Sequence, residues 1–303
     1  MKKQIAVALS GGGAKGYAHL GALSVLEEEG YDIVAVSGTS IGSLVGALYA
    51  AGYTPSQILS LLQSVDPRHL FDRRRGDRPS ILGLQGIETT LRAALGQRTF
   101  ADLPRPFGAV ALDILSTHTI FLRSGSVVEA VLASSAIPGM FPPVKKGNWL
   151  LVDGGLADNV PVRLARLLAP GVPVVAVSLG LMPPAVHCFS DIPLPLRVPL
   201  MQRAISRLRY TQAFNTFVRA SEIALGYATT LRLEVDRPEV LVVPAVHDVE
   251  VLGTPPDAER VVAAGEAAMR EALPALRRVS RRPRWLRRTP PVDLRYVIVD
   301  DDS

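Results

Sequence analysis

Between residues 4 and 36 the chain sets a strand-like run, a glycine cluster, a helix-like repeat and a second strand-like run end to end. Residues 4–9 (QIAVAL) are apolar, rich in β-branched and small side chains, and stop at Ser10 and three glycines, the pattern of a buried strand. Residues 16–29 place Leu20, Leu23 and Leu26 at a spacing of three, carry Glu27, Glu28 and Glu29 at the solvated end and stop at Gly30, which predicts a helix. Residues 33–36 read as a second buried strand. Strand, helix and strand at so short a spacing predict a right-handed βαβ unit, hence an α/β fold of three layers with a mainly parallel central sheet flanked by helices.

The alternation continues. A helix is expected to residue 51, and Thr54-Pro55, an N-cap followed by proline at the first helical position, opens another. Residues 66–86 mix charge, proline and glycine with Leu70, Phe71, Ile81 and Leu84, and suit either a lid or an ordinary solvated loop. Beyond them the sequence predicts two strands in 107–122, a helix over 127–134, strands at 148–152 and 172–179, a long helix from 196 to 225, strands near 230–235 and 240–243, and a helix over 257–273. No internal repeat or linker divides the chain. The expectation is one catalytic domain over 4–275, with its motifs within 4–180 and a substrate-setting region over 182–275, followed by a basic tail over 276–303.

Of the 303 residues, 48% are apolar and 20% charged, which excludes a disordered or collagen-like chain because a large core can be buried. The net charge of +5 is local: residues 277–288 (RRVSRRPRWLRR), from Arg277 to Arg288, hold seven arginines and no acid, leaving 33 − 7 = 26 basic against 28 acidic residues elsewhere. Residues 33–65 carry no formal charge, yet Gly38 to Ser43 and Gly52 to Pro55 interrupt them as strand, turn and helices rather than a membrane span. The N-terminus has no signal-peptide pattern, and the lone Cys188 cannot form an internal disulfide, so a reducing, cytoplasmic setting is expected.

Two glycine-rich turns carry the chemistry. Gly11-Gly12-Gly13-Ala14-Lys15-Gly16 follows the first strand and opens the first helix. It formally satisfies G-x-G-x-x-G, but no acidic residue ends the second strand to hold a ribose, Asp32 lies at the strand's start, and no Ser or Thr follows Lys15 to hold magnesium. The remaining use of such a loop is to present N–H groups to developing negative charge. Gly38-Thr39-Ser40-Ile41-Gly42 is a G-x-S-x-G between strand and helix, where a nucleophile on a sharp turn needs flanking positions without side chains. The helix beginning at Ile41 points its positive end at Ser40.

A serine nucleophile needs a base. Among His19, His69, His118, His187 and His247, only His247 follows a strand late in the chain, where an α/β-hydrolase places its histidine, and it stands as one candidate. The other is Asp153, at the end of a strand-like run and followed by Gly154 and Gly155; burial there would raise its proton affinity toward that of a general base, although aspartate before glycine is also a common β-turn.

The sequence resembles the patatin-like phospholipases in an ordered set of blocks. These are the Gly11 to Gly16 loop with His19 and Gly21 in the following helix; the elbow at Ser40; Ala133-Ser134 through Phe141 to Pro143; and Asp153-Gly154-Gly155 with Asn159 and Pro161 after it. The resemblance spans roughly residues 4–180 and implies a patatin-like fold and a Ser–Asp dyad: Ser40 as nucleophile, Asp153 as base without histidine, and Gly11, Gly12 and Gly13 as the oxyanion hole. Lys15, where many members carry arginine, would anchor the loop. Gly16, Gly38, Gly42, Gly154 and Gly155 support the turns. The implied activity is cleavage of acyl esters in phospholipids, lysophospholipids or related esters through an acyl-enzyme, with no metal or cofactor.

A lipid substrate implies a membrane surface. The arginine run with Trp285 suits anionic lipid at the inner face of a membrane or a plain solvated tail, and residues 183–200, apolar and proline-rich, suit contact with that membrane, a cover for the acyl channel or a homodimer contact. No signature of specific nucleic-acid binding occurs. A non-enzymatic membrane adaptor retaining the fold and a Ser–Asp–His hydrolase using His247 are the alternatives.

Overall fold

The computed structural model describes residues 3–180 except 67, 68, 74, 75, 77 and 79, together with 209–249, 257–280 and 296–299. Strand β1 (Lys3–Leu9) pairs in parallel with β2 (Tyr31–Thr39) across helix α1 (Tyr17–Glu28), the expected βαβ unit. Helices α2 (Ile41–Ala50) and α3 (Pro55–Ser64) follow, the latter opened by a capping box in which Thr54 and Gln57 satisfy each other's amides. After α4 (Gln85–Leu95) come β3 (Phe107–Asp113), β4 (Thr119–Leu122), α5 (Val127–Ser134), β5 (Val144–Lys146), β6 (Trp149–Asp153), α6 (Val162–Leu168) and β7 (Val174–Val177). Helix α7 (Arg209–Asp236), β8 (Val240–Val242), α8 (Ala258–Ser280) and β9 (Tyr296–Val299) complete the described chain. The sheet runs β5-β6-β3-β2-β1-β7-β8, with β4 beside β3 and β9 beside β4.

β1 explains the three layers. Ile5, Val7 and Leu9 enter a large cluster with side chains of α1, α2 and α8, whereas Ala6 and Ala8 face a second cluster built with α6 and Leu233 of α7. Alternate residues are thus buried on opposite faces, so the strand reads as one continuous apolar run. On the first face, α8 lies almost backbone to backbone on α1. A Cβ at Gly21 would sit 2.0 Å from the Val262 carbonyl oxygen, and one at Gly265 would sit 1.9 Å from that of Ala18.

The register around β3 decides where the functional turns meet. β4 occupies one edge of β3 over residues 109–112. The other edge is shared: β2 runs parallel to residues 107–110 and β6 runs antiparallel to 111–113. Thr39 pairs with Val110 and Asp153 with Ala111, so the carboxyl ends of β2 and β6 meet head to head. A Cβ at Gly154 would lie 2.3 Å from the Val110 carbonyl oxygen, so only glycine lets the turn after Asp153 cross there.

Several expectations are corrected. Residues 230–235 are helical, not a strand: the β-branched Thr229 and Thr230 return their hydroxyls to the carbonyls of Leu225 and Gly226, and Arg232 pairs with Asp236 one turn on. The described part of that helix begins at Arg209, and the expected start at 196 lies outside the described residues. The stretch 276–303 is not merely a basic tail. α8 continues to Ser280, Arg277 pairs with Glu29 at 2.7 Å, and Tyr296–Val299 adds a parallel strand beside β4. Arginines 281–288, Cys188, His187 and residues 183–200 lie outside the described residues. The excursion 66–86 is tied to the turn after α5: Leu82 donates its N–H to the Met140 carbonyl at 2.8 Å, and the Phe71 and Phe141 rings lie 5.4 Å apart. Among the described residues no helix is long and apolar enough to cross a membrane.

Candidate active site

Ser40 occupies the sharp turn between β2 and α2 with φ 53° and ψ −125°, a positive-φ conformation that costs a non-glycine residue on the order of 1–3 kcal/mol. Its surroundings over-determine it. A Cβ at Gly38 would stand 2.3 Å from the Gly42 carbonyl oxygen, and one at Gly42 would stand 2.3 Å from that of Leu9, so both flanking glycines are required by close approach of backbone. The Ser40 N–H donates to Ser134 Oγ at the end of α5 (2.9 Å), and Ser43 Oγ donates to the Ser40 carbonyl (2.6 Å). Ser40 remains 9% exposed.

The Ser40 side chain stands beside the carboxylate of Asp153, near enough to draw its proton affinity down. Asp153, 6% exposed, receives a bond on Oδ1 from the Gly155 N–H at 2.7 Å, and its own N–H donates to the Ala136 carbonyl. Burial pushes its carboxyl up to about 6, against the opposing pull of Ser40 and of the Gly155 N–H. A base with that proton affinity is ionised at neutral pH yet basic enough to take a hydroxyl proton in a transition state.

The glycine loop lies against this pair. The Cβ position of Gly11 is 3.3 Å from Ser40 Cβ, and that of Gly16 is 2.2 Å from Ile41 Cγ1, so loop and elbow pack as one unit. Lys15 sits in the single 3-10 turn Gly13–Gly16, its N–H donating to the Gly12 carbonyl. The expectation of three free glycine amides is modified: the Gly11 N–H donates to the Asn159 carbonyl at 3.2 Å, while no partner is recorded for the Gly12 and Gly13 amides among the described residues. His19 is fully buried in α1 with its proton affinity lowered to about 4 by burial. Neutral, it donates Nε2–H to the Ser10 carbonyl at 2.8 Å and so secures the residue that begins the loop, while Ser10 Oγ accepts the Leu179 N–H.

The segment after the Asp-Gly-Gly turn straps the site together. Thr39 Oγ1 donates to the Asp158 carbonyl and Ser37 Oγ to that of Pro161, so β2 and the 158–161 loop are joined on both sides of Asn159. Asn159 Oδ1 lies 2.7 Å from the Cβ position of Gly11 and 3.2 Å from that of Gly155, wedged between the loop and the turn.

Sequence reasoning missed the support behind this strap. The buried Asp158 carboxyl is raised to about 7, first by burial and then by Asp236, with Arg232 at 3.8 Å and Arg163 pulling the other way. Arg163 and Arg232 both pair with Asp236, and their guanidinium groups lie 5.5 and 4.9 Å from the Tyr296 ring centroid. These residues come from the strap, α6, α7 and β9, separated by up to 138 positions, and no local spacing signals them. His247 is exposed beyond β8, which is three strands from β2 in the sheet order, about 14 Å at the usual strand spacing. The structure does not bring it to Ser40.

Among known proteins, the patatin-like phospholipase family model matches residues 7–166, or 160 of 303. An uncharacterised NTE family protein of Mycobacterium tuberculosis is 36% identical over 170 residues, covering 52% of this chain and 44% of the relative. A second from the same species is 31% identical over 292 residues, covering 90% and 47%. Mouse patatin-like phospholipase domain-containing protein 6 is 32% identical over 186 residues, 58% of this chain and 13% of the relative. The chain therefore spans less than half the length of these relatives. The crystal structure of VipD from Legionella pneumophila aligns with a TM-score of 0.57 at 18% identity, covering 90% of this chain and 67% of that one, a likeness of fold. With the elbow, the Asp-Gly-Gly turn and the glycine loop all inside the matched span, the chain belongs to the patatin-like phospholipase family.

Proposed function

We propose that this protein is a lipid acyl hydrolase of phospholipase, lysophospholipase or carboxylesterase type, working through Ser40 and Asp153 alone. The observation that carries the reading is the placement of Ser40, on its strained elbow, beside a buried carboxyl already raised to about 6. Asp153 takes the hydroxyl proton as Ser40 Oγ attacks the acyl carbonyl. The N–H groups of Gly12 and Gly13 receive the developing oxyanion, and the N-terminus of α2 adds positive potential. The proton passes from Asp153 to the departing alcohol or phospho-alcohol, leaving an acyl-Ser40 ester. Asp153 then deprotonates a water that attacks this ester, and Ser40 is restored as the fatty acid leaves. The family supports a lipid ester as substrate.

Incubation with a panel of phospholipids, lysophospholipids and short-chain esters tests this. Acid release is expected from the wild type, none from Ser40→Ala or Asp153→Asn, and full activity from His247→Ala. A fluorophosphonate should label Ser40. Release that survives Ser40→Ala overturns the dyad; loss in His247→Ala equal to that in Ser40→Ala supports the triad instead. A wild type that is neither labelled nor active supports a non-enzymatic adaptor.

A further inference from the structure

The β3–β4 turn holds two neighbouring aliphatic side chains out to solvent, Ile114 at 46% and Leu115 at 66% exposure. This is a built projection. The Asp113 carboxylate beneath it accepts the N–H groups of Leu115, Ser116 and Leu150 and the hydroxyl of Ser116. These bonds hold its carboxyl below the usual range despite burial, which alone would raise it. The Thr117 N–H donates to the Asp113 carbonyl, and Thr117 adopts φ 64° to close the turn. The Ile114 N–H donates to the Leu150 carbonyl, stitching this tip to the β5–β6 hairpin beside it. Exposing Ile114 and Leu115 is therefore a consequence of a satisfied hydrogen-bond network rather than of a loose loop, and nothing within the described chain covers them.

A shallow groove beside the tip brings Leu115 and the half-buried Trp149 together with the exposed Arg78 and Lys145, and its described lining contains no acidic side chain. The one carboxylate of the turn, Asp113, is buried under its four donors. Aliphatic tips, an aromatic ring at their base and flanking cations are the combination that partitions into the headgroup region of an anionic bilayer.

The tip also stands where such docking would serve the site. β3 runs parallel to β2 and continues three residues, about 10 Å, past the Val110 that pairs with Thr39, so the tip projects beyond the sheet edge that carries Ser40. β6 connects the two directly, with Trp149 at its start beside the tip and Asp153 at its end beside Ser40, about 13 Å apart along the strand.

We propose that the paired hairpin tips bearing Ile114, Leu115 and Trp149, flanked by Arg78 and Lys145, seat the protein on an anionic lipid bilayer beside the Ser40 site. The choice of a lipid surface over a second copy of the chain follows from the groove's described lining, which holds two cations and no acid, so a self-complementary contact would bring cations to face cations. It rests on the acyl-hydrolase reading for the reason to meet lipid, and the assay separates the two.

The test is flotation of the full chain with phosphatidylcholine vesicles with and without roughly a third phosphatidylglycerol. The wild type should bind the anionic vesicles. Ile114→Ser combined with Leu115→Ser should weaken binding about tenfold or more, since both aliphatic side chains lose their partitioning. Lys145→Glu should weaken it about fivefold or more at low salt, with the difference shrinking at high salt. All these variants should cleave a soluble short-chain ester at the wild-type rate, and Ser40→Ala should bind vesicles as the wild type does. Unchanged binding by the double serine variant overturns the proposal, as does absence of wild-type binding. So does a wild-type dimer that the double variant dissociates while vesicle binding stays the same. A wild type that docks through the tip but cleaves no ester leaves the docking surface standing and removes the hydrolase reading.

Discussion

Replacing Asp153 by asparagine should stabilise the fold while abolishing activity, because the carboxylate the chemistry needs is one the fold holds at a cost. Its proton affinity rises from 3.8 to about 6 on folding, with burial as the leading cause. The folded state therefore binds more protons than the unfolded state between those values, so stability falls as pH rises through this window and stays lowered above it. The shift corresponds to about 3 kcal/mol at pH 8 and to about half that at pH 5, where the folded-state carboxyl is already largely protonated. Asparagine keeps an oxygen to accept from Gly155, and its new amide donor contributes a term that does not vary with pH. The measurable quantity is thus the difference between wild type and Asp153→Asn in urea unfolding free energy at pH 8 and again at pH 5. The asparagine variant should gain relative to the wild type by about 1 to 2 kcal/mol on going from pH 5 to pH 8. A difference that is the same at both pH values, or that moves in the other direction, would refute the argument that Asp153 is a desolvated and ionised base.

The same carboxyl should appear in kinetics: kcat/KM for a soluble ester should fall about tenfold from its plateau when the pH reaches 5, one unit below the Asp153 value, and His247→Ala should leave that limb in place. Ser134→Ala removes the acceptor of the Ser40 N–H, and should lower kcat by about tenfold to a hundredfold with little change in KM, since elbow geometry rather than substrate binding is disturbed. Gly265→Ala forces a methyl group to within 1.9 Å of the Ala18 carbonyl oxygen, and thermal unfolding should report a loss of about 3 kcal/mol or more as α8 is levered from α1. Asp158→Asn should be more stable than wild type at pH 8 and lose that advantage as pH falls from about 7 toward 4, because its folded-state carboxyl is also raised; calorimetry across that range checks it.

Patterns within a few residues of one another are what the chain declares locally. The run 4–9, the loop Gly11 to Gly16 and the Ser40 elbow announce strand, turn and helix because each residue type is required by local backbone geometry or by burial on both faces of a strand. The ordered motifs also point to Asp153, although a β-turn aspartate would look the same in isolation. The misread segment 230–235 shows the limit: β-branched threonines and valine suggest a strand, but return bonds from Thr229 and Thr230 and the Arg232–Asp236 pair hold a helix whose buried Leu233 faces the core. The return of Tyr296–Val299 to the sheet is equally silent in the sequence, since pairing with β4 depends on a strand edge laid down 177 residues earlier.

Local residue patterns suffice for a βαβ unit with a serine on a glycine-flanked elbow and a carboxylate before two glycines. That the serine and the carboxylate meet is a matter of strand packing. β2 and β6 share one edge of β3 in opposite directions, which places Thr39 against Val110 and Asp153 against Ala111. Pairing register is a property of three strands at once, and the burial that raises Asp153 to about 6 is a property of everything packed around it; neither is written in any short stretch of residues.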